Sequence, residues 1–290
     1  MTSVKLNVAS QGVLYVVATP IGNLEDLSSR AARILGSVSL VAAEDTRHTS
    51  RLLAHLGVNV SMLSLHDHNE KQRVDQLDDY LQAGQSIALV SDAGTPLISD
   101  PGYVVVRELR DRGRTIVPVP GASALIAALS AAGVATDRFT FAGFLPAKPK
   151  ARLKALEDIK GREETLVFYE SPHRIVHTLT AISEALEDRP VVLARELTKT
   201  FETFLSGSAA SLLAEMQNDP NQARGEFVIM IEGAPESEPQ TALAFSSDSL
   251  LDALLNEGVG VKQGAAVAAR LLGGRKQNWY AKLQAMKSDD

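Results

Sequence analysis

The chain has 290 residues, 45% of them hydrophobic and 22% charged, with a formal net charge of −6 and no cysteine. This is a globular balance for about two domains with room for a small third, and it excludes disulfides, cysteine-ligated zinc and thiol catalysis. No field over the whole surface attracts nucleic acid, no apolar run reaches the about 18 residues of a membrane helix, and Met1–Gln11 lacks a basic-then-apolar signal pattern, so a cytoplasmic protein is expected.

Short β-branched runs alternate with helical patterns along the first part of the chain. Val13–Ala18 reads as a strand stopped by Thr19-Pro20, and Leu27–Leu35 as a helix closed by Gly36. Val38–Ala43 reads as a strand, and Thr46–Leu56 as a helix ended by Gly57. Strands follow at Val60–Leu65, Ile87–Ser91 and Thr115–Val119, with helices at Lys71–Gln82 and Tyr103–Arg112 between them. The alternation predicts an α/β domain, residues 1–121, whose largely parallel sheet is covered on both faces.

After Pro120-Gly121, Ala122–Ala132 reads as a buried helix stopped at Gly133. A second α/β domain, residues 122–235, is predicted from strands at Phe139–Phe144, Thr165–Tyr169, Val191–Arg195, Thr200–Ser206 and Glu226–Glu232. Residues 236–249 lie in a Pro/Ser/Glu/Thr-rich stretch and read as a linker. Residues 250–290 carry three short helical patterns, Leu250–Asn256, Lys262–Leu272 and Lys276–Met286, as a small basic helical domain.

The unusual residues gather where strands end, which is where open parallel sheets bind ligands. Thr19-Pro20-Ile21-Gly22-Asn23 follows the first strand and matches neither a dinucleotide fingerprint nor a P-loop. Ser91–Gly102 holds two Pro, two Gly and two Asp in one loop, a density that favours ligand binding over two plain turns. There Asp92 is placed to accept hydrogen bonds from a ribose or an ammonium group, while Asp100 is read first as a cap for the next helix.

Glu44-Asp45-Thr46-Arg47-His48 and His66-Asp67-His68-Asn69-Glu70 end the second and third strands. A neutral imidazole there can take a proton from a hydroxyl, which makes His48, His66, His68, Asp45 and Glu44 the candidate bases. Asp45 and Glu70 have the alternative of starting helices. His66 and His68 beside carboxylates also suit a metal, but a metal needs a third convergent ligand, so none is expected.

Tyr169-Glu170-Ser171-Pro172-His173-Arg174 runs from a strand end into a helix, with Pro172 in the first turn and Ser171 as cap. Arg195-Glu196-Leu197-Thr198-Lys199 and Arg224-Gly225-Glu226 flank later strands. Lys148, Lys150, Arg152 and Lys154 form a patch without an acid, and residues 260–290 hold six Lys/Arg against two Asp. A basic tail on an acidic body suggests an anionic partner.

Taken in order, VATPIGNLEDLS, AAEDTRHT, LHDHNE, ALVSDAGTPLISDPGY, VPGASALIAALSAAG, FAGFLPAKPKAR, FYESPHR and ARELTKTFET resemble the tetrapyrrole methylase superfamily, and within it the ribosomal RNA branch. The resemblance implies two α/β domains with S-adenosyl-L-methionine in the cleft between them, no metal, and a homodimer. It implies cofactor contacts at Thr19, Pro20, Ile21, Gly22 and Asn23, at Asp92, Ala93, Gly94 and Leu97, at Ser123 and Ala124, at Tyr169, and at Arg195, Glu196 and Leu197. It also implies a reaction: methylation of the ribose 2′-hydroxyl of a decoding-centre cytidine in 16S rRNA, within a small ribosomal subunit or its precursor.

On that reading Lys148, Lys150, Arg152, Arg174, Arg195 and Lys199 are candidates to hold RNA phosphates, together with Arg270, Arg275, Lys276 and Lys282 of the tail. Lys262–Leu272 and Lys276–Met286, joined by Gly273-Gly274, are similar to a helix-turn-helix, with Trp279 expected to pack inward. Two rivals remain. A corrin-like small molecule as methyl acceptor leaves the basic tail and PAKPKAR without a purpose. A non-catalytic RNA-binding module leaves the intact cofactor loops unexplained.

Overall fold

The computed structural model describes residues 11–235 and 247–288. Ten strands and eleven helices occupy them, and the chain divides into one compact unit up to Ala234 and another from Pro235.

The first sheet is built from β1 (Val13–Val17), β2 (Leu40–Ala43), β3 (Ser61–Ser64), β4 (Ile87–Val90) and β5 (Thr115–Val119). Its order is β3-β2-β4-β1-β5 and every pairing is parallel. The inner strands LVAA and IALV are buried at every position, as a sheet covered on both faces requires.

Strand alternation sorts their side chains. Leu40, Ala42, Ile87 and Leu89 pack with α3 (Glu70–Gln82) and α4 (Tyr103–Asp111). Val41, Ala43, Ala88 and Val90 pack on the other face with α1 (Ser29–Leu35) and α2 (Thr46–His55). Helix α2 stops because Gly57 takes φ +65 and lets Val58 N–H reach Leu53 O at 2.9 Å.

Neighbours β1 and β4 feed helices on opposite faces, so their carboxyl ends open a crevice. The loops after them meet across it: Thr19 N–H donates to Gly94 O at 2.8 Å, and Gly94 N–H to Thr19 O at 3.0 Å.

The second sheet contains β6 (Phe139–Phe144), β7 (Thr165–Glu170), β8 (Pro190–Arg195), β9 (Thr203–Ser208) and β10 (Phe227–Ile231), in the order β6-β7-β10-β8-β9. Only the β6–β7 pair is parallel; the other pairings are antiparallel. One face carries α6 (Pro149–Asp158), α7 (Ile175–Leu186) and α8 (Ala209–Asn218). The other face packs Val167, Val192, Ala194 and Val228 on α5 (Ala124–Ala131) and on Ile21 of the loop after β1. That packing joins the two sheets around the crevice.

The tail unit contains α9 (Ser247–Asn256), α10 (Val261–Leu272) and α11 (Lys276–Ser288) around Leu251, Ala265, Ala268 and Leu283. Gly264 is where α10 and α11 approach, since a Cβ there would lie 3.0 Å from Leu283 Cδ1. Residues 236–246 of the expected linker lie outside the described residues, and α9 already begins at Ser247 rather than Leu250.

Three local expectations are corrected. Residues 172–174 form a turn, and α7 starts at Ile175 with Arg174 in front of it, so Ser171 is not its cap. Ser171 O instead accepts from Arg174 N–H and Ile175 N–H at 3.1 Å each. Asp100 does not cap α4. Glu70 does, accepting from Gly102 N–H and Val104 N–H at 2.9 Å each, because the turn at Gly102 leaves those donors facing α3.

Candidate active site

A cavity of about 330 Å³ lies at the crevice between the two sheets, within the size range of small-molecule sites. Ile21, Ala93, Gly94, Thr95, Ile98, Ser99 and Asp100 line it from the first sheet's loops. Ser123 and Ala124 line it from the start of α5. The second sheet adds Phe144, Tyr169, Glu170, Ser171, Ala194, Leu197, Lys199, Glu226, Phe227 and Val228.

Each wall is held by specific bonds. Thr95 Oγ1 donates to Ala122 O at 3.0 Å, tying the loop after β4 to the turn before α5. The Tyr169 hydroxyl accepts from Leu125 N–H at 3.2 Å, one of the free donors at the start of α5. Burial pushes the Tyr169 phenol up, which keeps it a neutral hydroxyl. Phe141 and Phe144 meet the Tyr169 ring edge to face at centroid distances of 4.8 and 5.9 Å.

Gly22 has no room for a side chain: a Cβ would lie 2.5 Å from Lys199 Cγ and 3.1 Å from Leu197 O. That close approach lets the loop after β1 rest on the turn after β8. Four non-glycine residues around the cavity stand at positive φ: Leu97 (73), Ser99 (67), Glu196 (51) and Thr198 (65). Such backbone costs on the order of 1–3 kcal/mol per residue and persists where neighbours over-determine it.

Of the residues expected at a cofactor, Ile21, Ala93, Gly94, Ser123, Ala124, Tyr169 and Leu197 line the cavity. The others stand behind or beside it. Thr19 is buried and forms the bridge to Gly94. Asn23 accepts from Glu25 N–H at 3.0 Å and starts the short turn Leu24–Asp26. Pro20 and Gly22 belong to the same loop but not to the lining. Leu97 packs with the core of the first sheet. Asp92 Oδ1 accepts from Asp45 N–H at 3.1 Å, linking the ends of β4 and β2. Buried Arg195 donates to Arg224 O at 2.6 Å and to Phe201 O at 3.2 Å, and Glu196 accepts from Glu226 N–H at 3.0 Å. These two shape the turn around Leu197.

The five candidate bases do not line the cavity. Asp45 caps α2 and pairs with Arg47, which holds its carboxyl well below the usual range and leaves it a poor base. His66 shares a ring nitrogen with the Asn69 amide at 3.1 Å, and its ring lies 6.0 Å from that of His68. His48 is exposed on α2. Glu44 is half-buried and accepts from Asp92 N–H at 3.4 Å. Burial raises the Glu44 pKa, that hydrogen bond opposes the rise, and the charges of Asp92, Asp67 and Asp45 add to it. Among the described residues no three His, Asp or Glu side chains converge to hold a metal.

Asp100 is the residue that sequence reasoning misplaced. It lines the cavity, and burial pushes its carboxyl up to about 6 against the opposing hydrogen bond from Ser91, with Glu44, Asp92 and Asp67 adding repulsion. Thr95, Ile98 and Ser99 belong to the Ser91–Gly102 loop already read as ligand-binding, whereas Phe144, Ala194, Phe227 and Val228 were not singled out as site residues; they are ordinary apolar residues whose place depends on the pairing of distant segments.

Several expected phosphate ligands are engaged within the chain. Arg152 is buried and donates to Pro146 O at 3.1 Å and Ala147 O at 2.8 Å, so its role is structural. Arg174 bonds to Leu145 O and pairs with Glu170 at 3.2 Å. Lys199 pairs with Glu196 at 2.7 Å and Glu226 at 2.9 Å, and Lys282 pairs with Asp248. Lys148 and Lys150 at the start of α6, and Arg270, Arg275 and Lys276 around the α10–α11 turn, are exposed and in no ion pair among the described residues. Trp279 packs on the small core of the tail and donates to Gly273 O at 2.7 Å, fixing that turn, while Tyr280 is exposed.

The family Tetrapyrrole (Corrin/Porphyrin) Methylases matches residues 13–213. The ribosomal RNA small subunit methyltransferase I of Escherichia coli O157:H7 is 50% identical over 273 residues, covering 93% of this chain and 94% of its own length. That of Pasteurella multocida (strain Pm70) is 48% identical over 275 residues, covering 93% and 95%. Among solved structures, uroporphyrin-III C-methyltransferase from Thermus thermophilus, complexed with S-adenyl homocysteine, matches with a TM-score of 0.54 at 19% identity, over 76% of this chain and 97% of that one. That likeness is one of fold: two α/β halves about a cleft.

Proposed function

Because this chain belongs to the tetrapyrrole methylase family, we propose that it is an S-adenosylmethionine-dependent methyltransferase acting on small-subunit ribosomal RNA, and that the cavity at the crevice holds the methyl donor. The observation that carries the substrate is the 48–50% identity to ribosomal RNA methyltransferases over 93% of the chain. The finer reading is transfer to the ribose 2′-oxygen of a decoding-centre cytidine in 16S rRNA. Its setting would be the cytoplasm, on a small subunit or its precursor, by a homodimer. Among the described residues no helix is long and apolar enough to cross a membrane.

The cavity suits this donor on its own chemistry. Ile21, Ile98, Phe144, Leu197 and Val228 supply apolar wall for an adenosine, and Asp100 supplies negative charge for a cationic ligand. Bound S-adenosylmethionine supplies an electrophilic methyl group on a sulfonium. Gly94, Ala124 and Tyr169 are the lining residues that would hold it, with Phe144 and Ile98 as apolar wall at the same cavity.

Methylation of a ribose hydroxyl would release its proton, which a base of the chain would take. None of the five candidate bases lines the cavity; Glu44, half-buried and accepting from Asp92 N–H at 3.4 Å, is the one whose carboxylate is tied to the loop that does, and is the first to test for that role. Lys148, Lys150, Arg270, Arg275 and Lys276 are the cations available for phosphates.

The test supplies methyl-labelled donor with small ribosomal subunits, with free 16S rRNA and with a precorrin. Label on a cytidine 2′-oxygen, located by mass mapping of nuclease fragments, supports the reading. Label on the precorrin alone overturns it.

A further inference from the structure

Three carboxylates line the cavity: Asp100, Glu170 and Glu226. Glu170 is paired with Arg174 at 3.2 Å, and Glu226 with Lys199 at 2.9 Å. Asp100 is in no ion pair among the described residues, and the polar group that favours its charged form is the nearby Ser91 hydroxyl. Its other charged neighbours have its own sign: Glu44 at the end of β2, Asp67 after β3 and Asp92 after β4. Tyr169 of β7 faces it as a neutral phenol.

A half-buried carboxylate among like charges is unfavourable unless a ligand brings the opposite charge. Burial and those neighbours push its carboxyl up to about 6. The strained residue before it, Ser99 at φ 67, shows that the loop holds this side chain at the cavity at a backbone cost.

Methyl transfer changes the ligand's charge. The donor carries a sulfonium, an ammonium and a carboxylate, for a net charge of about +1; the thioether product keeps the last two and has no net charge. We propose that Asp100 is the residue by which the site distinguishes the charged methyl donor from its neutral thioether product, so that product leaves once its sulfonium is discharged. This rests on the reading of the cavity as the donor site.

The experiment measures binding of S-adenosylmethionine, S-adenosylhomocysteine and sinefungin, whose protonated amine replaces the sulfonium, by calorimetry on the full-length protein and on Asp100→Asn. Loss of the charge pair is expected to weaken the donor and sinefungin by about tenfold each and S-adenosylhomocysteine by less than about twofold. Equal weakening of all three, or no weakening, overturns the inference. Failure of the unaltered protein to bind any of them overturns the donor-site reading instead.

Should Asp100→Asn not fold, the unaltered protein still decides. Its preference for donor over product should shrink as pH falls through about 6, where Asp100 takes up a proton. Burial raises the Glu44 carboxyl as well, and Tyr169 stays protonated throughout. A preference constant from about pH 8 to about pH 5 overturns the assignment.

Discussion

Glu70 holds Gly102 from across the first sheet's helical layer. One carboxylate oxygen accepts from Gly102 N–H and the other from Val104 N–H, each at 2.9 Å, with Glu70 only 4% exposed. Those bonds anchor the far end of the loop that presents Ile98, Ser99 and Asp100 to the cavity. Glu70→Ala strands two backbone donors in a buried place. It is expected to lower stability by about 2 kcal/mol in urea denaturation and to weaken donor binding severalfold in calorimetry. An unchanged unfolding midpoint would show that the loop is held by other means.

Gly22→Ala tests the closure of the crevice. Its Cβ would fall 2.5 Å from Lys199 Cγ and 2.8 Å from Thr198 Oγ1. The Lys199 methylene can give way; Leu197 O, at 3.1 Å, is backbone. Overpacking of this kind costs about 1–3 kcal/mol. The loss should appear in donor affinity more than in melting temperature, since the close approach joins loops rather than core. Affinity within twofold of the unaltered protein would show that the loops separate without cost to the site.

Asp78 carries a pH-dependent part of the stability. It is 6% exposed and bonds to Arg114, and Arg112 Nη1 reaches it at 3.2 Å. Those guanidinium groups, Arg114 first, hold its carboxyl below the ordinary 3.8 against the opposing effect of burial. A depressed folded-state pKa gives stability that is complete above 3.8 and is lost as pH falls through the folded value. Asp78→Asn should cost about 3 kcal/mol at neutral pH. The gap between the two melting curves should narrow below pH 3.8. A gap independent of pH would assign the effect to packing.

The basic turn of the tail is testable without truncation. Arg270, Arg275 and Lys276 are exposed, and the turn between α10 and α11 is fixed by Trp279 rather than by them. Replacing all three by Ala should leave donor binding unchanged and weaken rRNA binding. The slope of log affinity against log salt should fall by roughly one unit for each phosphate no longer neutralised. An unchanged slope in a folded variant would make the tail an element of stability or association.

Much of the scaffold was legible because it rests on local signals. LVAA and IALV are apolar at every position, and a strand buried on both faces requires this. Gly57 ends α2 at φ +65, where a side chain is disfavoured. The loops after β1 and β4 stood out by their Gly, Pro and Asp content, and the crevice opens between them. The antiparallel pairing of β7, β10, β8 and β9 was not legible, because an apolar run such as FVIMI reads alike in either direction.

The sequence by itself therefore determined where the strands and the helices of the first domain and the tail lie, though not α6, α7 and α8, and also which loops carry unusual residues and which family the chain resembles. Only the tertiary structure decided what those residues do. Asp100 looked like a helix cap because a carboxylate before a helix usually is one; Glu70, thirty residues earlier in the chain, takes that role and leaves Asp100 to the cavity. Arg152, Arg174 and Lys199 looked like free cations until folding brought carbonyls and carboxylates to them. Hydrogen bonds and ion pairs act over a few ångströms whatever the separation along the chain, so a polar side chain's role is set by neighbours that only the fold assembles.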